Sequence, residues 1–151
     1  MRELLFVPPL GHLISAIHLR IVPVMANKRL LCIDDHEDTC VLVSSILPDY
    51  EVVSEHTKAG GLGRAMTGGF DVRLADYYLP DGTGLELCAL VRTFDPTTPI
   101  LLVTATHSVD HKEVIAEGGQ EVIRKEHLAQ LLPMAVVSAV EAPLLKKSAS
   151  H

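Results

Sequence analysis

The stretch Asp71-Val72-Arg73-Leu74-Ala75-Asp76-Tyr77-Tyr78-Leu79-Pro80-Asp81-Gly82-Thr83-Gly84 decides how the chain is read. Val72, Leu74 and Ala75 form a short apolar run that stops abruptly at a carboxylate, Asp76. A turn cluster follows, from Leu79 to Gly84, in which Pro80 fixes its own φ and Asp81-Gly82 and Gly84 supply the conformations of a sharp reversal. The pattern predicts a buried strand that delivers one acid to a loop at its C-terminal end. In open α/β sheets that edge is where ligands bind. An isolated buried charge there is too costly, so Asp76 must be paired, hydrogen-bonded or bound to a metal. Partners for it are therefore expected elsewhere in the chain.

Outward from this stretch the pattern is regular. Leu30 to Ile33 is an apolar run ending in Asp34-Asp35, so a first strand also delivers carboxylates. Val41, Leu42, Ile46 and Leu47 then recur at helical spacing, with Glu37 and Asp38 in the first turn and Pro48-Asp49 as the stop. Tyr50 to Ser54 reads as a second strand. Lys58 to Gly69 reads as the weakest helix, because Gly60, Gly61 and Gly63 each cost about 1 kcal/mol against Ala. A helix over Leu85 to Thr93 follows the opening stretch, and Pro96 and Pro99 bracket a loop. Ile100 to Val103 is the fourth strand, ending at Thr104. Ser108 is the expected cap of a helix reaching about Glu117, closed by Gly118-Gly119. Val122-Ile123 is a fifth strand ending at Arg124-Lys125. Proline is tolerated in a first turn but not in a helix interior, so the last helix is expected from near Pro133 to near Glu141, with a frayed end after Lys146. Strands alternating with helices call for an α/β fold with a parallel sheet covered on both faces.

A chain of 151 residues makes one domain with a substantial core. Its net charge of -6 argues against a nucleic-acid surface, and the acidic excess is either a solubility feature or a set of carboxylates converging on a cation. Three cysteines without a CxxC pair support neither a disulfide framework nor a zinc site, and point to reduced thiols in a cytoplasmic protein. Residues 1–26 are largely apolar from Leu4 onward, but Pro8, Pro9, Pro23, His12, His18 and Arg20 interrupt them. They fit neither a membrane helix nor a signal peptide. They read first as an extension outside the domain, with Met25 a candidate natural start, then as an ordered packing segment, and last as a targeting segment. The domain itself is placed at 27–142, with 143–151 as a tail.

Four strand ends now carry polar groups: Asp34 and Asp35, Asp76, Thr104, and Lys125. In a parallel sheet they share one edge. Three carboxylates in one cleft call for a hard divalent cation, Mg²⁺ (or Mn²⁺), which keeps open positions for phosphate oxygens. A hydroxyl and an ammonium suit an incoming phosphoryl group. Of the histidines, the His107/His111 pair is read as exposed helix residues; His36, beside the acid pair, has the cleft within reach but is read first as a surface residue.

The acid pair after the first strand, the Asp of DYYLPDGTG, Thr104-Ala105 and Lys125 occur in the order and spacing that resemble the receiver domain of two-component response regulators, from about Lys28 to Ala142. The resemblance implies a flavodoxin-like, doubly wound five-stranded sheet of order 2-1-3-4-5 with helices on both faces. It implies that Asp76 takes a phosphoryl group from a histidine kinase or phosphotransfer protein. Asp34, Asp35, Asp76 and the backbone carbonyl of Tyr78 would hold the metal, and Thr104 and Lys125 would meet the phosphoryl group. Tyr78 and Thr106 fall at positions that set how long that group survives. A partner protein would read the face made by the fourth helix, fifth strand and fifth helix, with a homodimer as an option and with no direct nucleic acid or membrane contact. Because only ten residues follow Glu141, the expectation is a stand-alone receiver in bacterial signalling.

The chain departs from the family pattern at Val122, where the switch aromatic usually stands, and at Glu126, where Pro often follows the Lys. Arg73, in a strand expected to be buried on both faces, must reach the rim or a carboxylate. Two other readings compete: a binding module of the same fold that has lost phosphorylation, and a Mg²⁺-dependent aspartyl-phosphate hydrolase. The second of these wants a DxD-type motif that Asp34-Asp35-His36 does not supply.

Overall fold

The computed structural model of the chain describes residues 28–149, with side chains as far as residue 142; the expected extension 1–26 lies outside the described residues. Five parallel strands form the central sheet: β1 (Lys28–Ile33), β2 (Tyr50–Glu55), β3 (Val72–Asp76), β4 (Ile100–Thr104) and β5 (Glu121–Arg124). Their order is β2-β1-β3-β4-β5, as expected. The helices are α1 (Glu37–Ile46), α2 (Lys58–Met66), α3 (Gly84–Arg92), α4 (His111–Ala116) and α5 (Leu128–Ala149). Parallel neighbours need crossover helices, so both faces of the sheet are covered.

Side chains alternate across the strands, which divides the core in two. Leu30, Cys32, Val72, Leu74, Leu101 and Val103 face α1 and α5, where they meet Cys40, Val43, Leu128, Leu132 and Val136. Leu31, Ile33, Ala75, Ile100 and Leu102 face α2, α3 and α4, where they meet Ala65, Leu87, Cys88, Val91 and Val114. All five residues of β3 and of β4 are buried, which is why these two read as unbroken apolar runs.

Three helices differ from the sequence expectation. In α1 the buried face is Cys40, Val43 and Leu47, while Val41 and Leu42 are exposed. The cysteine takes the inward position that the apolar pattern had assigned to its neighbours. In α4 the cap is Asp110, whose side chain accepts from Lys112 N, rather than Ser108. Gly118 and Gly119 do close that helix, through N–H bonds to Ile115 O and Val114 O.

The largest difference is α5. It begins at Leu128, after a 3-10 turn at Lys125–His127, and continues to Ala149. Leu128, Leu132, Val136 and Ala139 make one buried stripe at spacings of three and four. That packing starts five residues ahead of Pro133, and it outweighs the one backbone bond the proline removes. A helix confined to Pro133–Glu141 would have left Leu128 and Leu132 without this face.

Candidate functional site

The C-terminal edge of the sheet gathers the polar groups. Ile33 of β1 lies opposite Ala75 of β3, so Asp34 and Asp76 follow side by side. Thr104 of β4 lies opposite Arg124 of β5, so Lys125 comes one residue beyond. Asp34, Asp76 and Thr104 are all buried. Directly after Asp76 a small hairpin, Tyr78–Leu79 against Gly82–Thr83, returns the chain into α3. Gly84 begins that helix so close to β3 that a Cβ there would collide with the carbonyl oxygen of Asp76. Asp81 of the same turn accepts from Lys58 N (2.6 Å) and Ala59 N (2.9 Å), which ties the turn to the start of α2.

Lys125 Nζ lies 2.8 Å from Asp34 Oδ2 and 2.9 Å from Asp76 Oδ2. Toward Asp76 it donates a hydrogen bond. Toward Asp34 the contact is an ion pair without hydrogen-bond geometry, so the buried Asp34 Oδ2 accepts no hydrogen bond. The other oxygen of Asp76 accepts from Tyr78 N at 3.3 Å. Asp34 Oδ1 accepts from His36 N at 2.8 Å, and the ring nitrogen Nδ1 of His56 is 2.9 Å from the Asp34 carbonyl.

Burial pushes the Asp76 carboxyl above its ordinary value; the hydrogen bond from Lys125 works the other way, and the nearby charge of Asp34 adds to the rise. Burial alone would lower Lys125, but its two carboxylate partners outweigh it and hold the ammonium above its ordinary value. The Thr104 hydroxyl is engaged within its own loop: it accepts from Thr106 N at 3.1 Å and lies 3.2 Å from the Thr106 hydroxyl.

Asp34, Asp35, His36 and Asp76 each offer a ligand atom, all within 4.8 Å of one another. Three carboxylates against the single Lys125 ammonium leave two formal negative charges, which matches a divalent cation. The carboxylate oxygens are the hard donors that Mg²⁺ takes. The donor set therefore fits the expected metal. Tyr78, the fourth expected ligand, stands two residues beyond Asp76; the residue is 53% exposed and its ring is edge-on to Tyr77, 4.9 Å between centroids.

Two histidines lie here. His36 is exposed yet turned into the acid cluster, which is the alternative to its surface reading. His56 comes from the β2–α2 junction, and no spacing rule links it to Asp34. His111 instead lies 3.4 Å from Glu121, and neither it nor His107 belongs to the acid cluster. Among the described residues there is no cis peptide bond, in keeping with Glu126 rather than Pro after Lys125.

Residues 30–136 match the family model of the response regulator receiver domain. The transcriptional regulatory protein YkoG of Bacillus subtilis is 32% identical over 90 residues, which cover 58% of this chain and 40% of that protein. The transcriptional regulatory protein CusR of Escherichia coli is 27% identical over 124 residues, 81% of this chain and 53% of that protein. The chain thus spans about half the length, or less, of these curated relatives. Among solved structures, the chemotaxis protein CheY4 of Vibrio cholerae superposes with a TM-score of 0.66 at 30% identity, covering 76% of this chain and 99% of that one.

Proposed function

The chain belongs to the response regulator receiver domain family, and we propose that Asp76 is its phosphoacceptor, taking a phosphoryl group from the phosphohistidine of a sensor kinase or phosphotransfer protein. One observation carries this reading. Asp76 is buried at the strand edge beside Asp34, with Lys125 Nζ 2.9 Å from Oδ2 and a pKa raised by burial. A carboxylate poorly solvated and kept in place by one ammonium is a primed nucleophile.

The step balances as follows. An Asp76 carboxylate oxygen forms a bond to phosphorus while the P–N bond of the donor breaks, and its electron pair returns to the imidazole nitrogen. Receiver domains bind Mg²⁺ through acidic residues; here Asp34, Asp35, Asp76 and the Tyr78 carbonyl would hold it, and it would offset the charge that gathers on the transferring group. Lys125 shifts from the Asp76 oxygen to the new phosphoryl oxygens as a point charge. Thr104 gives up its contact with Thr106 and donates its hydroxyl to the phosphoryl group. Tyr78, half-exposed beside the acceptor, screens the acyl phosphate from water.

The bound phosphoryl group favours the conformation with Thr104 drawn inward, a population shift driven by contacts made in only one state. The output passes to a downstream protein in the cytoplasm, or onward by phosphoryl transfer. The face of α4, β5 and α5 suits such a partner. Between β5 and α5, with no lining from α4, lies a groove of about 760 Å³, lined by Leu101, Val122, Leu131, Met134 and Ala135 among others. Met134 is 70% exposed on its rim. Among the described residues no helix is long and apolar enough to cross a membrane.

The test is phosphoryl uptake from acetyl phosphate, read by intact mass. The wild type with Mg²⁺ should gain one phosphoryl group, and Asp76→Asn and a chelated sample should gain none. No gain in any sample would support the constitutive binding module instead.

A further inference from the structure

His36 occupies the N-cap of α1, a position that favours Ser, Thr, Asp or Asn because their side chains accept from first-turn N–H groups. Its backbone has the extended cap conformation (φ -92, ψ 109), but its side chain caps nothing. The ring turns back instead. Nδ1 lies 3.0 Å from Asp35 Oδ1 and 3.4 Å from Asp34 Oδ1, although the side chain is 70% exposed and has room for other rotamers. The backbone favours this by an Asx turn, in which His36 N donates to Asp34 Oδ1.

The geometry is that of a shared ligand set. Two ligand atoms on one first-row cation lie at most about 4.2 Å apart, twice a bond of about 2.1 Å. The His36 nitrogen and the three carboxylates lie within 4.8 Å of one another, so small side-chain movements bring them to that spacing. Lys125 takes the Oδ2 atoms of Asp34 and Asp76, whereas His36 lies against Asp34 Oδ1. Ammonium and imidazole thus approach different oxygens of Asp34, and an ion held beside His36 need not displace Lys125.

We propose that His36 is a nitrogen ligand of this pocket, and that the site therefore prefers first-row transition cations such as Ni²⁺ and Co²⁺ over Mg²⁺. This rests on the reading that the acid pocket binds a divalent cation, and adds the donor that sets which one. Mg²⁺ is satisfied by oxygen and water and gains little from imidazole, whereas imidazole suits Ni²⁺, Co²⁺ and Zn²⁺. The donor set is then mixed rather than all-oxygen, and metal availability would bear on phosphorylation.

The test uses protein without a histidine tag, as wild type, His36→Ala and Asp35→Asn. Mn²⁺ is added, and electron spin-echo envelope modulation reads nitrogen bound directly to the ion. Calorimetry with Ni²⁺ and Mg²⁺ runs in parallel. The expected result is a ¹⁴N coupling in the wild type that His36→Ala loses. Ni²⁺ affinity should fall about tenfold or more in that variant, with Mg²⁺ affinity held within about twofold. The exposed position of His36 makes the substitution safe for folding. Bound Mn²⁺ without nitrogen coupling, or equal losses for Ni²⁺ and Mg²⁺, would overturn the proposal and leave the cation site standing. A wild type that binds Mn²⁺ no better than Asp35→Asn would overturn both.

Discussion

Asp76 and Arg73 are two charged residues buried in the same short strand, and the fold deals with them differently. Arg73, 2% exposed, reaches a carboxylate rather than the rim: its Nη2 lies 2.7 Å from Asp95 Oδ2, while Nε and Nη1 are buried without hydrogen bonds. Burial would raise the Asp95 carboxyl, but N–H groups of Thr98 and Thr97 and the Arg73 guanidinium outweigh it and hold it far below the carboxylate range. A depressed folded-state pKa contributes stability that is present above the ordinary value of 3.8 and lost as pH falls below it. Asp95→Ala leaves a buried guanidinium with no anion, and is expected to cost about 3–5 kcal/mol in denaturant unfolding. Arg73→Met, which removes the charge and both unbonded donors together, is expected to cost less. Asp76 has the opposite sign. Its pKa is raised, so above that value the fold carries an ionised buried carboxylate, and stability grows as pH falls through it. Asp76→Asn in metal-free buffer should therefore raise Tm at neutral pH, by roughly 2–4 °C for each kcal/mol relieved. The gain should vanish in acid, where the wild type is protonated; a gain that persists there would contradict this account of the shift. That Arg73 needed a partner could be read from its neighbours in the strand. That the partner is Asp95 could not, because a loop residue carries no periodicity to tie it to position 73.

At the scale of elements, α2 shows why composition misleads. Its three glycines were counted as equal weaknesses, yet they meet different surroundings. A Cβ on Gly61 would sit 2.8 Å from Ile33 Cδ1 and 3.0 Å from two further Ile33 carbons, so this glycine lets the helix lie close on β1. A Cβ on exposed Gly63 would meet nothing within 4 Å. Gly61→Ala is expected to destabilise by about 1–3 kcal/mol through overpacking. Gly63→Ala should stabilise by up to about 1 kcal/mol through helix propensity. Denaturant unfolding of the two variants checks both signs, and a stabilised Gly61→Ala would mean that α2 does not pack as described. The helix faces and ends were read less well than the strands. Strand runs such as Leu30–Ile33 are decided by burial on both faces, which hydrophobicity reports directly. The start of α5 depended on a long-range choice, the seating of Leu128 and Leu132 against the sheet, and Pro133 pointed locally to a later start.

At the scale of the whole molecule, parallel order carries the site. With β1, β3 and β4 side by side and β5 beyond, acids and hydroxyl and ammonium from distant parts of the sequence converge on one edge. This convergence was legible because each polar group ends an apolar run, and parallel strands end together. His36 was legible only as a neighbour of the acid pair, and His56 before α2 was not legible at all, because its placement follows from a loop path and not from a strand pattern. If the edge is a cation site, ligand linkage predicts a cost-free gain in stability: Mg²⁺ at a hundred times its Kd should add about 2.7 kcal/mol to the wild type. Asp35→Asn should show little of that gain, and thermal melts with and without chelator check it. The central claim concerns Asp76 itself, and it is tested most directly by mapping the acyl phosphate. After exposure to acetyl phosphate and Mg²⁺, borohydride reduces a phosphorylated aspartate to homoserine, which tandem mass spectrometry locates in the sequence. The account predicts homoserine at position 76 and at no other acid of the cluster; homoserine at Asp34 or Asp35 instead, or none at all, would contradict it.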